Sequence, residues 1–241
     1  MAGKDGKEVA ACLKVTHLNK AFTGLEVIKD WHMQVENGAR VVLLGPSGAG
    51  KTTFLRMIAG LDSPDSGEIQ VGTDKVAFVF QEPRLIPWRS VRDNLLFVNP
   101  RAEVETILAQ LRLEGFADYY PAQLSGGMQQ RVNLARALAV EPDLLIMDEA
   151  FSSLDLPVRM NIMEDLLQQW ERKHFTIVSV THDLKEALFL ATRILLLSGR
   201  PAQIVEDIAI DQHPGSDWTD LPRLQQEAWL LKKLLAADHP E

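Results

Sequence analysis

Gly45-Pro46-Ser47-Gly48-Ala49-Gly50-Lys51-Thr52 fits G-x-x-x-x-G-K-[ST], a spacing whose residue types bind phosphate. Gly45, Gly48 and Gly50 let the backbone curl until successive N–H groups point at one place. Lys51 supplies a full charge for β- and γ-phosphates, and Thr52 offers a hydroxyl to Mg²⁺. Two carboxylates, Asp148 and Glu149, directly follow the apolar run 144–147. The first can hold Mg²⁺ through water, and the second can orient or deprotonate an attacking water. Gln81 and His182 each follow an apolar run, 75–80 and 175–180. A side-chain amide there can touch Mg²⁺ and the water, and an imidazole can reach a γ-phosphate. Ser125-Gly126-Gly127 opens a second helix with exposed backbone donors. One phosphate tail does not need two such helix ends, whereas two chains facing each other would use both. Phe22, in Lys20-Ala21-Phe22-Thr23-Gly24, can stack on an adenine ring. Each signal has a plainer structural counterpart: a glycine turn, a solvated acidic strand end, a satisfied histidine, an N-capped helix, a packed phenylalanine.

The elements around these residues supply the context the chemistry needs. Arg40-Val41-Val42-Leu43-Leu44 reads as a buried parallel strand, and the run from Thr53 to Ala59 as a helix. Strand, glycine loop and helix therefore follow in the order a phosphate site requires. Residues 75–80, 143–147 and 175–180 read as further buried strands, with ligand-facing groups at their carboxyl ends. Residues 11–38 read as short antiparallel strands closed by the turn Glu36-Asn37-Gly38. Residues 83–120 change character. Pro83, Pro87 and Trp88 interrupt the chain, and helical patterns follow near 90–97 and 101–113. An inserted helical lobe is the expectation. A helix from Leu156 to Arg172, a helix from Leu184 to Ala191 and a strand over 194–197 complete the core.

Composition bounds the remaining choices. The 241 residues are 46% hydrophobic and carry a net charge of −8, with half of it in residues 200–241. That balance argues against a nucleic-acid partner. The single cysteine, Cys12, cannot form an internal disulfide and points to a reducing compartment. The richest apolar stretch, Leu184 to Leu197, is broken by charges, so no membrane span is expected. Residues 1–10 read as a frayed, disordered tail.

Taken together and in order, the glycine loop, Gln81, Leu124-Ser125-Gly126-Gly127-Met128-Gln129, Asp148-Glu149, Asp155 and His182 resemble the ATP-binding subunit of an ABC transporter. The resemblance spans about residues 11–210. It implies an α/β P-loop NTPase fold with a mainly parallel RecA-like core, an N-terminal antiparallel β subdomain and a helical subdomain at about 83–140. Residues 211–241 would be an extension with one helix, at about 222–236. The resemblance implies ATP and Mg²⁺ as ligands. Phe22 would be the adenine-stacking aromatic, although tyrosine is commoner there. Gly45, Pro46, Ser47, Gly48, Ala49, Gly50, Lys51, Thr52 and Thr53 would form the Walker A loop. Thr52, Gln81 and Asp148 would serve the metal. Glu149 would be the catalytic base, His182 the γ-phosphate switch, Ser125-Gly126-Gly127 the signature and Asp155 part of the D-loop. Met128 stands where glutamine is frequent and Ala150 where proline is; neither departure removes a group needed for hydrolysis.

The stretch Val79 to Arg89 is similar to the nitrate/sulfonate/taurine import branch. That branch implies a homodimer of ATPase subunits and an integral membrane permease contacted through Gln81–Trp88. A solute-binding protein would act indirectly, and the chain would sit peripherally on the cytoplasmic face of the inner membrane. A soluble, non-transport ABC ATPase of translation or DNA repair is the alternative. Such chains usually carry two cassettes, a coiled coil or a zinc module, none of which this sequence shows. A non-hydrolysing regulatory module is a third reading, opposed by Glu149 and His182.

Overall fold

The computed structural model describes residues 11–210 and 221–238; the expected tail at 1–10 lies outside them. The chain begins with β1 (Ala11–Phe22), β2 (Leu25–Glu36) and β3 (Arg40–Leu44), then α1 (Lys51–Ile58), β4 (Ser66–Val71) and β5 (Val76–Val79). Three helices follow: α2 (Val91–Val98), α3 (Val104–Gln110) and α4 (Gly126–Ala139). The chain continues through β6 (Leu144–Asp148), α5 (Leu156–Lys173), β7 (Thr176–Thr181), α6 (Leu184–Leu190), β8 (Arg193–Leu197), β9 (Ile204–Ala209) and α7 (Leu221–Asp238).

Six strands make one sheet in the order β5-β6-β7-β3-β8-β9. Its first five strands are parallel, and β9 joins antiparallel at the edge. β3 and β7 are buried at every position because both faces of the sheet are covered. Side chains alternate between the faces. Val41 and Leu43 enter a core shared with α1 and the second sheet, while Val42 and Leu44 enter a core shared with the helices. That helical core runs without a break from the sheet to Leu95, Leu108 and Val132, so α2, α3 and α4 pack into the same apolar layer as the strands.

The second sheet is antiparallel, ordered β2-β1-β4. Here the structure differs from the short strands expected over 11–38: β1 and β2 each run 12 residues. Imperfect alternation reads as strand ends in sequence but arises from bulges, which shift the register without ending the pairing. Phe22 accordingly closes β1. Helix α1, only eight residues long, is too short to persist by itself. Packing holds it: Phe54, Leu55, Met57 and Ile58 are buried between the two sheets, and Trp31 meets Phe54 edge-on at 5.0 Å. Each such side chain contributes about 1.5–3 kcal/mol by leaving water.

Candidate active site

The chemistry-bearing residues collect where parallel strands end. Strand β3 runs into the glycine loop, β5 ends just before Gln81, β6 ends at Asp148 and β7 leads to His182. Gly50 caps α1 at φ 77°, and a Cβ there would meet Val27 at 2.6 Å. Glycine therefore lets the loop turn into the helix pressed against β2.

Lys51 is nearly buried, and its ammonium donates to Gly45 O at 2.7 Å and Pro46 O at 2.8 Å. Burial lowers its pKa, and the nearby Glu149 and Asp148 charges oppose that shift. Thr52 Oγ1 donates to Asp148 Oδ1 at 3.0 Å. Burial raises the Asp148 pKa, partly offset by that hydroxyl. Glu149 holds φ 44°, a left-handed backbone that costs a non-glycine residue on the order of 1–3 kcal/mol. Neighbours fix it there. Its N–H donates to Val180 O at 3.0 Å, and its carbonyl accepts from Ser152 Oγ at 3.0 Å. Glu149 Oε2 lies 3.2 Å from His182 Nδ1. Gln81 Nε2 donates to Ser152 Oγ at 3.1 Å, so one hydroxyl links the amide to the Glu149 backbone.

A cleft of about 360 Å³ opens over the glycine loop. Phe22, Ser47, Lys51, Thr52, Thr53 and Glu149 line it together with Leu25, Val27 and Arg200. Other expected residues stand apart from this lining. Ser125 caps α4 by accepting from Met128 N at 3.3 Å, and Asp155 caps α5 by accepting from Val158 N at 3.0 Å. Gly127 packs against Val158, where a Cβ would come within 2.8 Å. The starts of α4 and α5 thus lie side by side, outside the lining of this chain's own cleft.

Helix α4 also grips the segment after β5. Asn133 donates to Phe80 O at 3.1 Å, Gln130 to the same oxygen at 3.3 Å, and Arg136 to Pro83 O at 3.1 Å and to Arg84 O at 2.9 Å. Buried Asn94 of α2 holds the next residues through Ile86 N at 2.8 Å and Ser90 O at 2.9 Å. The segment from Gln81 to Trp88 is therefore carried by the helices, while Trp88 itself is 77% exposed.

Two residues that the sequence analysis does not single out belong to this geometry. Ser152 lay unmarked in the loop after Glu149. Arg200 Nε donates to Gly48 O at 2.5 Å and lines the cleft. It follows β8, another parallel strand, so the strand-end rule that singled out Gln81 and His182 applies to it equally.

A family profile described as ABC transporter matches residues 28–152. The chain is 42% identical over 215 residues to the aliphatic sulfonates import ATP-binding protein SsuB 2 of Pseudomonas syringae pv. tomato, covering 87% of this chain and 93% of that protein. Identity to the nitrate import ATP-binding protein NrtD of Synechocystis sp. is 39% over 227 residues, covering 86% and 85%. Among solved structures, the dimeric post-hydrolysis state of the ATP-binding cassette MJ0796 bound to ADP and Pi aligns with a TM-score of 0.73 at 30% identity. It covers 83% of this chain and 100% of that one.

Two predictions follow from the geometry. Arg200→Ala should free the Gly48 carbonyl and raise the nucleotide Kd about tenfold, on the scale of one charge-assisted hydrogen bond; fluorescence titration with a labelled ATP analogue reads it, and an unchanged Kd contradicts the assignment. The second concerns Glu186, buried on α6 with neither carboxyl oxygen in a hydrogen bond of normal geometry. Burial pushes its pKa up to about 8, with Asp183 and Glu149 adding to the rise and the Thr181 hydroxyl and Arg159 only partly offsetting it. The protonated carboxyl therefore favours the fold below the ordinary value of 4.5, and this contribution fades as pH rises through about 8. Glu186→Gln should be near neutral for stability at pH ~5 and stabilising by several kcal/mol at pH ~9; urea unfolding at both pH values measures it, and equal effects at both would contradict it.

Proposed function

The chain belongs to the ABC transporter family as an ATP-binding and ATP-hydrolysing subunit that energises import, and we propose that the imported solute is a small anion of the nitrate, sulfonate or taurine kind. The sulfonate and nitrate relatives, at about 40% identity over most of the chain, support that solute class. They also favour transport over the alternative of a soluble ATPase in translation or DNA repair.

One observation carries the catalytic reading: Lys51, Thr52 and Glu149 line a single cleft, with Asp148 held 3.0 Å from Thr52. In this reading residues 45–53 cradle the phosphates with backbone N–H groups, and Lys51 exchanges its loop carbonyls for β- and γ-phosphate oxygens. Phe22, 44% exposed at the cleft edge, offers its ring face to adenine. Thr52 and Asp148 are hard oxygen donors already in contact, which is the chemistry Mg²⁺ takes. With its amide N–H given to Ser152, Gln81 has its amide oxygen left for the same ion. Mg²⁺ held by these three residues would neutralise charge on the β- and γ-phosphate oxygens. Glu149 accepts a proton from the attacking water, and His182, 3.2 Å from it, orients the carboxylate and senses the γ-phosphate.

The site is completed by a second copy. Ser125-Gly126-Gly127 and Asp155 of one chain face the cleft of the other, closing two sandwiched nucleotides and excluding water. The separation of these residues from the cleft within one chain supports this head-to-tail pairing. The dimer of MJ0796 supports it too.

Among the described residues no helix is long and apolar enough to cross a membrane. The import relatives support attachment through a permease partner. Its docking surface is the segment Gln81–Trp88. There Trp88 and, nearby, Phe97 at 59% exposure present aromatic faces to solvent, with Arg89 stacked 4.7 Å from the Phe97 ring. Residues 11–210 form the ATP-binding unit, with α2 to α4 as its helical part. α7 extends it, packing Leu230 onto the core.

Glu149→Gln tests the catalytic assignment. It should lower the ATPase turnover at least ~100-fold while ATP binding persists, and trap an ATP-bound dimer visible by light scattering. Turnover at the wild-type rate would sink the assignment of Glu149 as base.

A further inference from the structure

On the outer face of the antiparallel sheet, away from the residues lining the nucleotide cleft, three metal-ligating side chains meet. His17 Nδ1 lies 2.9 Å and His32 Nε2 lies 3.1 Å from the same oxygen, Asp30 Oδ1. The two imidazoles sit edge to face with centroids 4.0 Å apart. The donor atoms of all three lie within 4.8 Å of one another. We propose that His17, Asp30 and His32 form a binding site for a divalent transition-metal ion of the zinc class.

The local backbone brings the three together. Two of the four register shifts between β1 and β2 bear on these residues, one between Val15 and Leu18 and one between Leu18 and Lys20. The first bulge contains His17 on β1. The second contains Asp30 on β2, opposite Asn19 of β1, while His32 of β2 stands opposite the first. Both residues adopt left-handed backbone, at φ 50° and 51°. Bulges re-aim side chains, and here one on each strand turns a ligand toward the other. His32 follows two residues after Asp30 on the same strand, where the pleat returns side chains to the same face.

Asn19 braces the arrangement. Its side chain accepts from Asp30 N at 2.9 Å and donates to His17 O at 2.8 Å and Ser66 Oγ at 3.2 Å. One amide therefore fixes the backbone of both bulged ligands, as outer-shell partners do in metal sites. Gly67 lets β4 lie against the same bulge, since a Cβ there would reach within 2.2 Å of His17 O.

The ligand chemistry selects the ion. Two imidazole nitrogens and one carboxylate oxygen suit zinc and its neighbours rather than Mg²⁺ or Ca²⁺, which take oxygen. Bonds of about 2.0–2.1 Å in tetrahedral geometry set donors roughly 3.3 Å apart, close to the 2.9 and 3.1 Å that separate each imidazole nitrogen from Asp30 Oδ1. The side chains of His17, Asp30 and His32 are 71%, 57% and 46% exposed, which leaves the outer coordination position to water. The ion would tie β1 to β2 on the strand whose other end, Leu25 and Val27, lines the nucleotide cleft. The site does not depend on the nucleotide chemistry.

The test is titration of the chelator-treated full chain with Zn²⁺, without nucleotide, by calorimetry and by thermal unfolding, repeated with Co²⁺ for its visible spectrum. His17→Asn suits the left-handed backbone, His32→Gln lies in regular strand, and both are expected to fold. His182→Ala controls for the other described histidine–carboxylate pair. We expect one Zn²⁺ per chain, a rise in Tm with Zn²⁺, and a Co²⁺ spectrum of tetrahedral type. The Zn²⁺ affinity should fall at least tenfold in His17→Asn and in His32→Gln and stay unchanged in His182→Ala. Absence of Zn²⁺ binding by the wild-type chain overturns the proposal. So does wild-type affinity in the two ligand variants, or loss of binding in His182→Ala alone.

Discussion

The site rests on the register of three adjacent parallel strands. Leu44 of β3 pairs with Thr181 of β7, and Asp148 of β6 pairs with Val180 of β7. The strands therefore end at one level, and whatever follows each of them emerges on one rim. A slip of one residue in β6 would turn Asp148 to the other face of the sheet and carry Glu149 with it. The slip is prevented by burial on both faces: it would exchange Leu145 and Met147 for Leu144 and Ile146 between two cores that are each already filled. The helix α1 depends on the same constraint, because it sets Thr52 against Asp148 only while β3 and β6 hold their levels.

A rim made this way is complete on the phosphate side and open on the other. The loop and α1 supply backbone donors, Lys51 and the Thr52–Asp148 pair, while the second set of donors stands at the start of α4. Helix α4 is also the element that holds the chain after β5, through Asn133 and Arg136 to backbone carbonyls. These bonds run to main-chain atoms, so they transmit position whatever side chains the loop carries. A displacement of α4 by a partner's nucleotide would move the exposed Trp88 segment with it. Ser152 adds the shorter route, linking Gln81 to the Glu149 backbone.

Much of this was legible in the sequence because unbroken apolar runs and glycine spacing are local signals. The strand at 40–44, the helix after the loop, Asp148-Glu149 at a strand end and the serine-capped start of α4 all follow from residue type and order. Three things did not show. The bulges at His17 and Asp30 disguised two long strands as several short ones, since a bulge resets the alternation that marks a strand. Arg200 stands far from Gly48 in sequence, so its place after a parallel strand marks it as rim-facing without naming Gly48 as its partner. Glu186 sits on an ordinary helical stretch and owes its raised pKa to burial, which only the tertiary packing determines. The family resemblance supplied what residue types alone left open, the pairing of two chains around the nucleotide.

That pairing is the central claim, and an inter-chain cross-link tests it most directly. Chains carrying only Ser47→Cys are mixed with chains carrying only Ser125→Cys and treated with a short bis-maleimide, which alkylates one thiol at each end; Cys12 is buried and silent. The account predicts a cross-linked pair that forms with MgATP and between the two different variants, and not between two copies of either one. Absence of that pair with MgATP, or equal yields without nucleotide, would contradict a head-to-tail site shared by two chains.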